Sequence, residues 1–142
     1  MKNVKQLLQG KSRGLCTIGP DARVFEAIKL MAEENIGALP VVDKETLVGI
    51  VSERDYARKV ILMGRSSHDT SVKDIMTERP TCVQPSNTVE ECMALMTEKH
   101  VRHLPVIENG KLIGVLSIGD LVKETIAEQQ LLIKQLESYI HS

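Results

Sequence analysis

The stretch Leu39-Pro40-Val41-Val42-Asp43-Lys44-Glu45-Thr46-Leu47-Val48-Gly49-Ile50-Val51-Ser52-Glu53-Arg54-Asp55 returns 65 positions later as Leu104-Pro105-Val106-Ile107-Glu108-Asn109-Gly110-Lys111-Leu112-Ile113-Gly114-Val115-Leu116-Ser117-Ile118-Gly119-Asp120. Working outward, residues 17–59 align without a gap on 82–124, and thirteen pairs are identical, among them Pro20/Pro85, Val24/Val89, Glu26/Glu91 and Met31/Met96. Self-similarity of this kind marks two copies of one supersecondary unit. Upstream, Val4-Lys5-Gln6-Leu7-Leu8 matches Val72-Lys73-Asp74-Ile75-Met76 at an offset of 68, so the first copy carries three extra residues around 9–13.

Each copy predicts the same order of elements. A short strand at 16–18 or 81–83 leads into a proline turn. A helix follows, its apolar face drawn from Val24, Ile28, Met31 and Ala32 or from Val89, Met93, Leu95 and Met96 at helical spacing. Thr88-Val89-Glu90-Glu91 reads as a capping box; Arg23 stands at the threonine position of the first copy, where Asp21 is the expected cap. Two strands rich in β-branched residues come next, at 38–42 and 46–51, then at 103–107 and 111–116. Asn109-Gly110 is a hairpin signal. A second helix starts near Ser52 and near Ser117, and Gly64 ends the first of these. The expected fold is therefore α/β (α+β): two β-α-β-β-α repeats packed sheet to sheet around one shared core, with pseudo-twofold symmetry and a C-terminal helix. The expected division is 1–68, 69–125 and a helical extension over 126–142. Leu121, Ile126, Leu132, Ile133, Leu136 and Ile140 form an imperfect apolar stripe on that last helix, suited either to packing on its own module or to a dimer contact.

Composition narrows the function. The 142 residues are 42% apolar and 26% charged, with a net charge of −1. That balance argues against a strongly basic nucleic-acid binder. Aromatics make up 2%, too few for the stacking platforms of single-strand binders. No apolar run approaches the ~20 residues that span a bilayer, and Met1–Lys5 is not followed by a signal-peptide core. Cys16, Cys82 and Cys92 lack CxxC spacing, so a reduced, cytoplasmic protein with free thiols is expected. Cys82 is expected in a strand and Cys92 in the core. His68, His100, His103 and His141 have no metal-ligand spacing, and there is neither a GxGxxG nor a Walker A motif, so no metal and no catalysis are expected.

Leu39-Pro40-Val41-Val42 and Leu104-Pro105-Val106-Ile107, each followed by Gly-x-x-Ser-x-x-Asp, resemble a tandem pair of cystathionine-β-synthase (CBS) domains, a Bateman module. The resemblance covers about residues 4–125 and is nearest to small stand-alone bacterial members. It implies an adenosine nucleotide in the clefts between the copies: AMP first, with ADP, ATP, NAD(H) or S-adenosyl-methionine as further options. It also implies a non-catalytic sensor of energy or redox state that signals to a regulated protein and associates as a homodimer. A ligand-free interaction and dimerisation module is the alternative.

The residue types suit that chemistry. Ser52-x-x-Asp55 and Ser117-x-x-Asp120 fall where a strand enters a helix, whose N-terminus favours anions. The serine hydroxyls can donate to phosphate, and the aspartates can accept a ribose diol. The same pattern is also a helix cap, and the sequence leaves both readings open. Carried over from the family, Arg102 of the same copy and Arg54 of the other serve the phosphates of the Asp120 cleft. The Asp55 cleft keeps His103 nearby and fewer cations, so the Asp120 cleft is expected to be the stronger. Backbone groups beside Val115 and Ile50 are expected to meet the adenine edge.

Overall fold

A proline and a run of β-branched residues favour extended chain, and the computed structural model, which describes residues 2–11 and 14–141, forms its two hairpins there. The order is α1 (Val4–Gln9), α2 (Val24–Glu34), β1 (Ala38–Asp43), β2 (Thr46–Ser52), α3 (Glu53–Tyr56), β3 (Thr77–Glu78), α4 (Val89–Lys99), β4 (His103–Glu108), β5 (Lys111–Ser117) and α5 (Ile118–His141). A π-helical turn, Ala57–Ile61, extends α3, and a 3-10 turn, Val72–Asp74, opens the second repeat. β1 pairs antiparallel with β2, setting Leu39 opposite Val51 and Val41 opposite Gly49. β4 and β5 repeat this register, with Leu104 opposite Leu116 and Val106 opposite Gly114. Each pair carries an irregularity at the same place, after Val41 and after Val106. β2 packs against β5, so the sheets face each other.

Three local expectations need correction. The leading strand of each repeat shrinks to a single parallel bridge, Ile18 to Val41 and Val83 to Val106, and exposed Cys82 lies outside any strand. Asp21 does not cap α2; it pairs with Lys73 at 2.9 Å. Backbone carbonyls of the linker do that work instead, Thr70 accepting from Val24 N–H and Ser67 from Phe25 N–H. The apolar face of α2 centres on Val24, Ala27 and Met31, and that of α4 on Val89, Cys92 and Met96; Ala32 faces solvent.

The buried side chains form two clusters, one per repeat, rather than one shared core. Each cluster takes its opening segment from the other repeat. Val4, Leu7 and Leu8 pack with Val89, Leu104 and Leu116, while Val72, Ile75 and Met76 pack with Val24, Leu39 and Val51. Hydrogen bonds follow the same exchange. Val4 and Lys5 donate to Asn87 and Pro85 at 2.9 and 3.0 Å; Val72 and Lys73 donate to Ala22 and Pro20 at 2.8 and 2.9 Å. These pairs correspond residue for residue under the offsets 68 and 65 found in the sequence. The exchange is also why Gly49 and Gly114 are glycines. A Cβ on Gly49 would lie 2.6 Å from Met76 Sδ, and one on Gly114 2.7 Å from Leu8 Cδ2.

The two hairpin turns differ in quality. Asn109 and Gly110 hold φ of 52° and 78°, the left-handed pair that a two-residue turn requires. Lys44 and Glu45 hold φ of 48° and 68° with neither residue suited to it. Left-handed backbone costs an ordinary residue roughly 1–2 kcal/mol, partly offset in glycine by chain entropy. Replacing Lys44-Glu45 by Asn-Gly is therefore expected to stabilise the protein by about 1 kcal/mol. The check is a raised urea midpoint at unchanged slope.

Candidate functional site

β5 runs into α5 at Ser117, and the first turn of that helix needs acceptors for its N–H groups. Ser117 Oγ accepts the Asp120 N–H at 3.1 Å, and Asp120 Oδ2 accepts the Ser117 N–H at 2.8 Å. The first repeat builds the same box, with Asp55 N–H on Ser52 Oγ at 3.1 Å and Ser52 N–H on Asp55 Oδ2 at 2.9 Å. Capping therefore operates at both motifs; their surroundings separate them.

Ser117 and Asp120 face a cavity of about 550 Å³ between the repeats, within the range of small-molecule sites. Its far wall comes from the first repeat: Gly14, Leu15 and Cys16, then Ile36, Gly37 and Ala38 at the entry to β1. Val115 and Gly114 of β5, Leu8 of α1 and His103 also line it, and Lys11 and Lys123 are its cations among the described residues. A Cβ on Gly37 would touch the His103 imidazole at an ordinary 3.5 Å and crowd Glu53 Oε1 at 3.1 Å. Burial holds His103 below the usual histidine range, with Lys11 and Arg102 adding to the effect against Asp120, so the ring is mostly neutral at pH 7. Burial pushes the Asp120 carboxyl up, but the N–H of Ser117 and the amine of Lys11 more than reverse this and hold it below the usual carboxylate range.

Ser52, Asp55 and Ile50 do not line this cavity. Lys59 Nζ lies 3.2 Å from Asp55 Oδ1 and donates to the Ile75 carbonyl at 2.9 Å. β3 pairs with the free edge of β2, Thr77 opposite Ile50. Among the described residues no strand pairs with the matching edge of β5, and the chain just after α1 stays coiled, Gly10 and Lys11 donating back to Leu7 and Leu8. The two clefts are therefore unequal.

His103 lines the Asp120 cavity, where sequence had set it beside Asp55. Arg54 and Arg102 are exposed and lie outside the lining. Arg102 stands at the rim, its carbonyl accepting the Ile118 N–H at 2.8 Å. Lys11 and Lys123 were not foreseen. Lys11 falls in the three-residue excess of the first copy, and that excess was the available signal; Ser12 and Arg13 of the same segment lie outside the described residues. Cys92 is fully buried as expected, its thiol pushed up to about 11 by burial and by Glu91. Among the described residues no His, Cys, Asp and Glu cluster could hold a metal ion, and no helix is long and apolar enough to cross a membrane.

The sequence profile of the CBS domain family matches residues 4–61 and 72–126. The chain is a CBS-domain protein. Both matches begin at the exchanged segments, Val4 and Val72, so each CBS repeat of the profile includes the piece that packs into its neighbour's core. A putative signal-transduction protein with CBS domains from Burkholderia ambifaria MC40-6 is similar at 55% identity and a TM-score of 0.86, over 90% of this chain and 96% of that one. The CBS domain-containing protein CBSX3, mitochondrial, of Arabidopsis thaliana is 44% identical over 125 residues, which are 84% of this chain and 61% of that protein. The structure of CBSX2 in complex with AMP aligns at 29% identity and a TM-score of 0.75, over 91% of this chain and 99% of that one.

Proposed function

We propose that this CBS-domain pair is a non-catalytic, cytoplasmic sensor that binds an adenosine nucleotide in the Asp120 cavity and signals to a partner protein. The observation that carries the reading is the cavity itself: a carboxylate at a helix start, open backbone edges and three basic groups converge between two repeats. Asp120 accepts the ribose diol. Ser117 and the start of α5 meet a phosphate oxygen. Backbone groups beside Val115 and at the entry to β1 take the adenine edge. His103 and Lys123 serve the phosphates, with Arg102 at the rim and Arg54 reaching from the other repeat. Ser52, Asp55 and Ile50 form a second, weaker cleft. AMP is the favoured ligand, supported by its presence in CBSX2; ADP, ATP and NAD(H) share its adenosine end.

The test is a thermal and calorimetric screen of AMP, ADP, ATP, NAD, NADH and S-adenosyl-methionine. A ligand that binds only the folded protein stabilises it by about 2.7 kcal/mol at a hundred times its Kd. A rise in melting temperature with one or more of them is expected, and none with any would overturn the reading. The affinity for AMP should also rise as pH falls from about 8 to about 6. His103 is neutral at the upper end, and a phosphate beside it favours uptake of a proton. Adenosine, lacking the phosphate, should show no such gain.

A second reading has its own observation. Leu132, Ile133 and Leu136 of α5 are each 54% exposed, and Ile140 73%. Such a stripe suits homodimerisation or docking on a protein, with or without nucleotide. Self-association without any nucleotide response would favour it.

A further inference from the structure

Lys11 joins two oxygens that the proposed ligand needs. Its Nζ donates to Asp120 Oδ2 at 2.9 Å and to the Val115 carbonyl at 2.8 Å. The first is the ribose acceptor of the nucleotide reading, and the second lies on the strand edge given to adenine. An ammonium held between them stands where an adenosine has to sit. Asp120 Oδ2 already accepts the Ser117 N–H, so the lysine takes up acceptor capacity that a ribose hydroxyl would require.

Lys59 makes a similar pair of contacts in the first repeat but differs in kind. It reaches Asp55 from four residues along the same chain segment, and it does not line the cavity. Lys11 crosses the chain by 109 positions from the segment that only one repeat carries. Its N–H donates to the Leu8 carbonyl at 3.2 Å just past α1, so the side chain swings from the end of that helix. About a third of that side chain is exposed, and its four methylenes give it freedom within the cavity.

We propose that Lys11 is a tethered latch on the adenosine subsite, which a ligand opens by giving the amine a phosphate in exchange for Asp120. The inference rests on the nucleotide reading above. A nucleotide supplies its own replacement for the broken ion pair. An uncharged nucleoside breaks the pair and leaves the ammonium with water alone. The latch thus makes the cavity select for phosphorylated ligands through the cost of opening, in addition to any attraction at the phosphate.

The experiment measures adenosine and AMP binding to the full chain and to its Lys11→Met variant by calorimetry. A second readout follows the Asp120 carboxyl by NMR titration in the absence of ligand. In Lys11→Met, adenosine is expected to bind about fivefold more tightly, the size of a partly exposed ion pair. AMP should bind no more tightly than before, and the Asp120 titration should move up in pH. Lys11→Arg should behave as the parent does. Adenosine binding unchanged or weakened in the variant, or an unmoved Asp120 titration, would overturn the latch and leave the nucleotide reading standing. Failure of every nucleotide to bind the parent chain would overturn both, and that result needs no variant.

Discussion

Asp120→Ala is expected to weaken nucleotide binding roughly a hundredfold, while Asp55→Ala changes it less than about threefold. Two hydroxyls of a ribose donating to one carboxylate form charge-assisted bonds worth roughly 1.5–3 kcal/mol each before water is counted, and a loss of about 3 kcal/mol corresponds to that factor. Asp55 is a matched control. Its carboxylate accepts the Ser52 N–H at 2.9 Å as that of Asp120 accepts the Ser117 N–H at 2.8 Å, so both variants lose the same capping bond. Only Asp120 lines the cavity. Calorimetry with AMP on both variants gives the comparison. A larger loss in Asp55→Ala would reverse the ranking of the two clefts.

The second large effect concerns stability. Gly49→Ala is expected to cost about 3 kcal/mol, and Gly114→Ala about 1 kcal/mol, although the two glycines are equivalent in the repeats. The added methyl on Gly49 meets the Thr77 carbonyl at 2.8 Å as well as Met76, and that carbonyl belongs to β3, which is hydrogen-bonded to β2. Relief requires moving a strand. The methyl on Gly114 meets only the far end of Leu8, at 2.7 and 3.2 Å, and a rotamer change relieves it. Urea unfolding of both variants gives the difference; equal costs would mean that β3 yields as easily as a leucine side chain.

The fold was legible because the repeat supplied two readings of each element. The hairpins, the central helices and the caps at Thr88, Ser52 and Ser117 follow from local pattern, and the structure has them all. The exchange of opening segments was not legible. An offset of 68 shows that Val4 and Val72 correspond, but correspondence does not say which core each enters. That choice depends on how the chain crosses between the sheets. The Asp120 cleft was singled out through the family resemblance, because a serine and a carboxylate at a strand-to-helix junction read equally as a cap. Its cations were not legible. Arg54 and Arg102 carry the right charge, yet both are exposed and outside the lining of the cavity, whereas Lys11 comes from the irregular segment where periodicity gives no direction.

The crossing of the opening segments also bears on how the chain matures on the ribosome. The first core cannot close until Val72 to Met76 have left the exit tunnel, and α1, made well before its partners, waits for Val89 and Leu116 before it finds its place. Neither half has a finished interior during most of synthesis. Such long sequence separation slows folding and prolongs exposure of apolar side chains. A nascent chain halted between the repeats should be open to protease throughout, and release of the second repeat should protect both halves together.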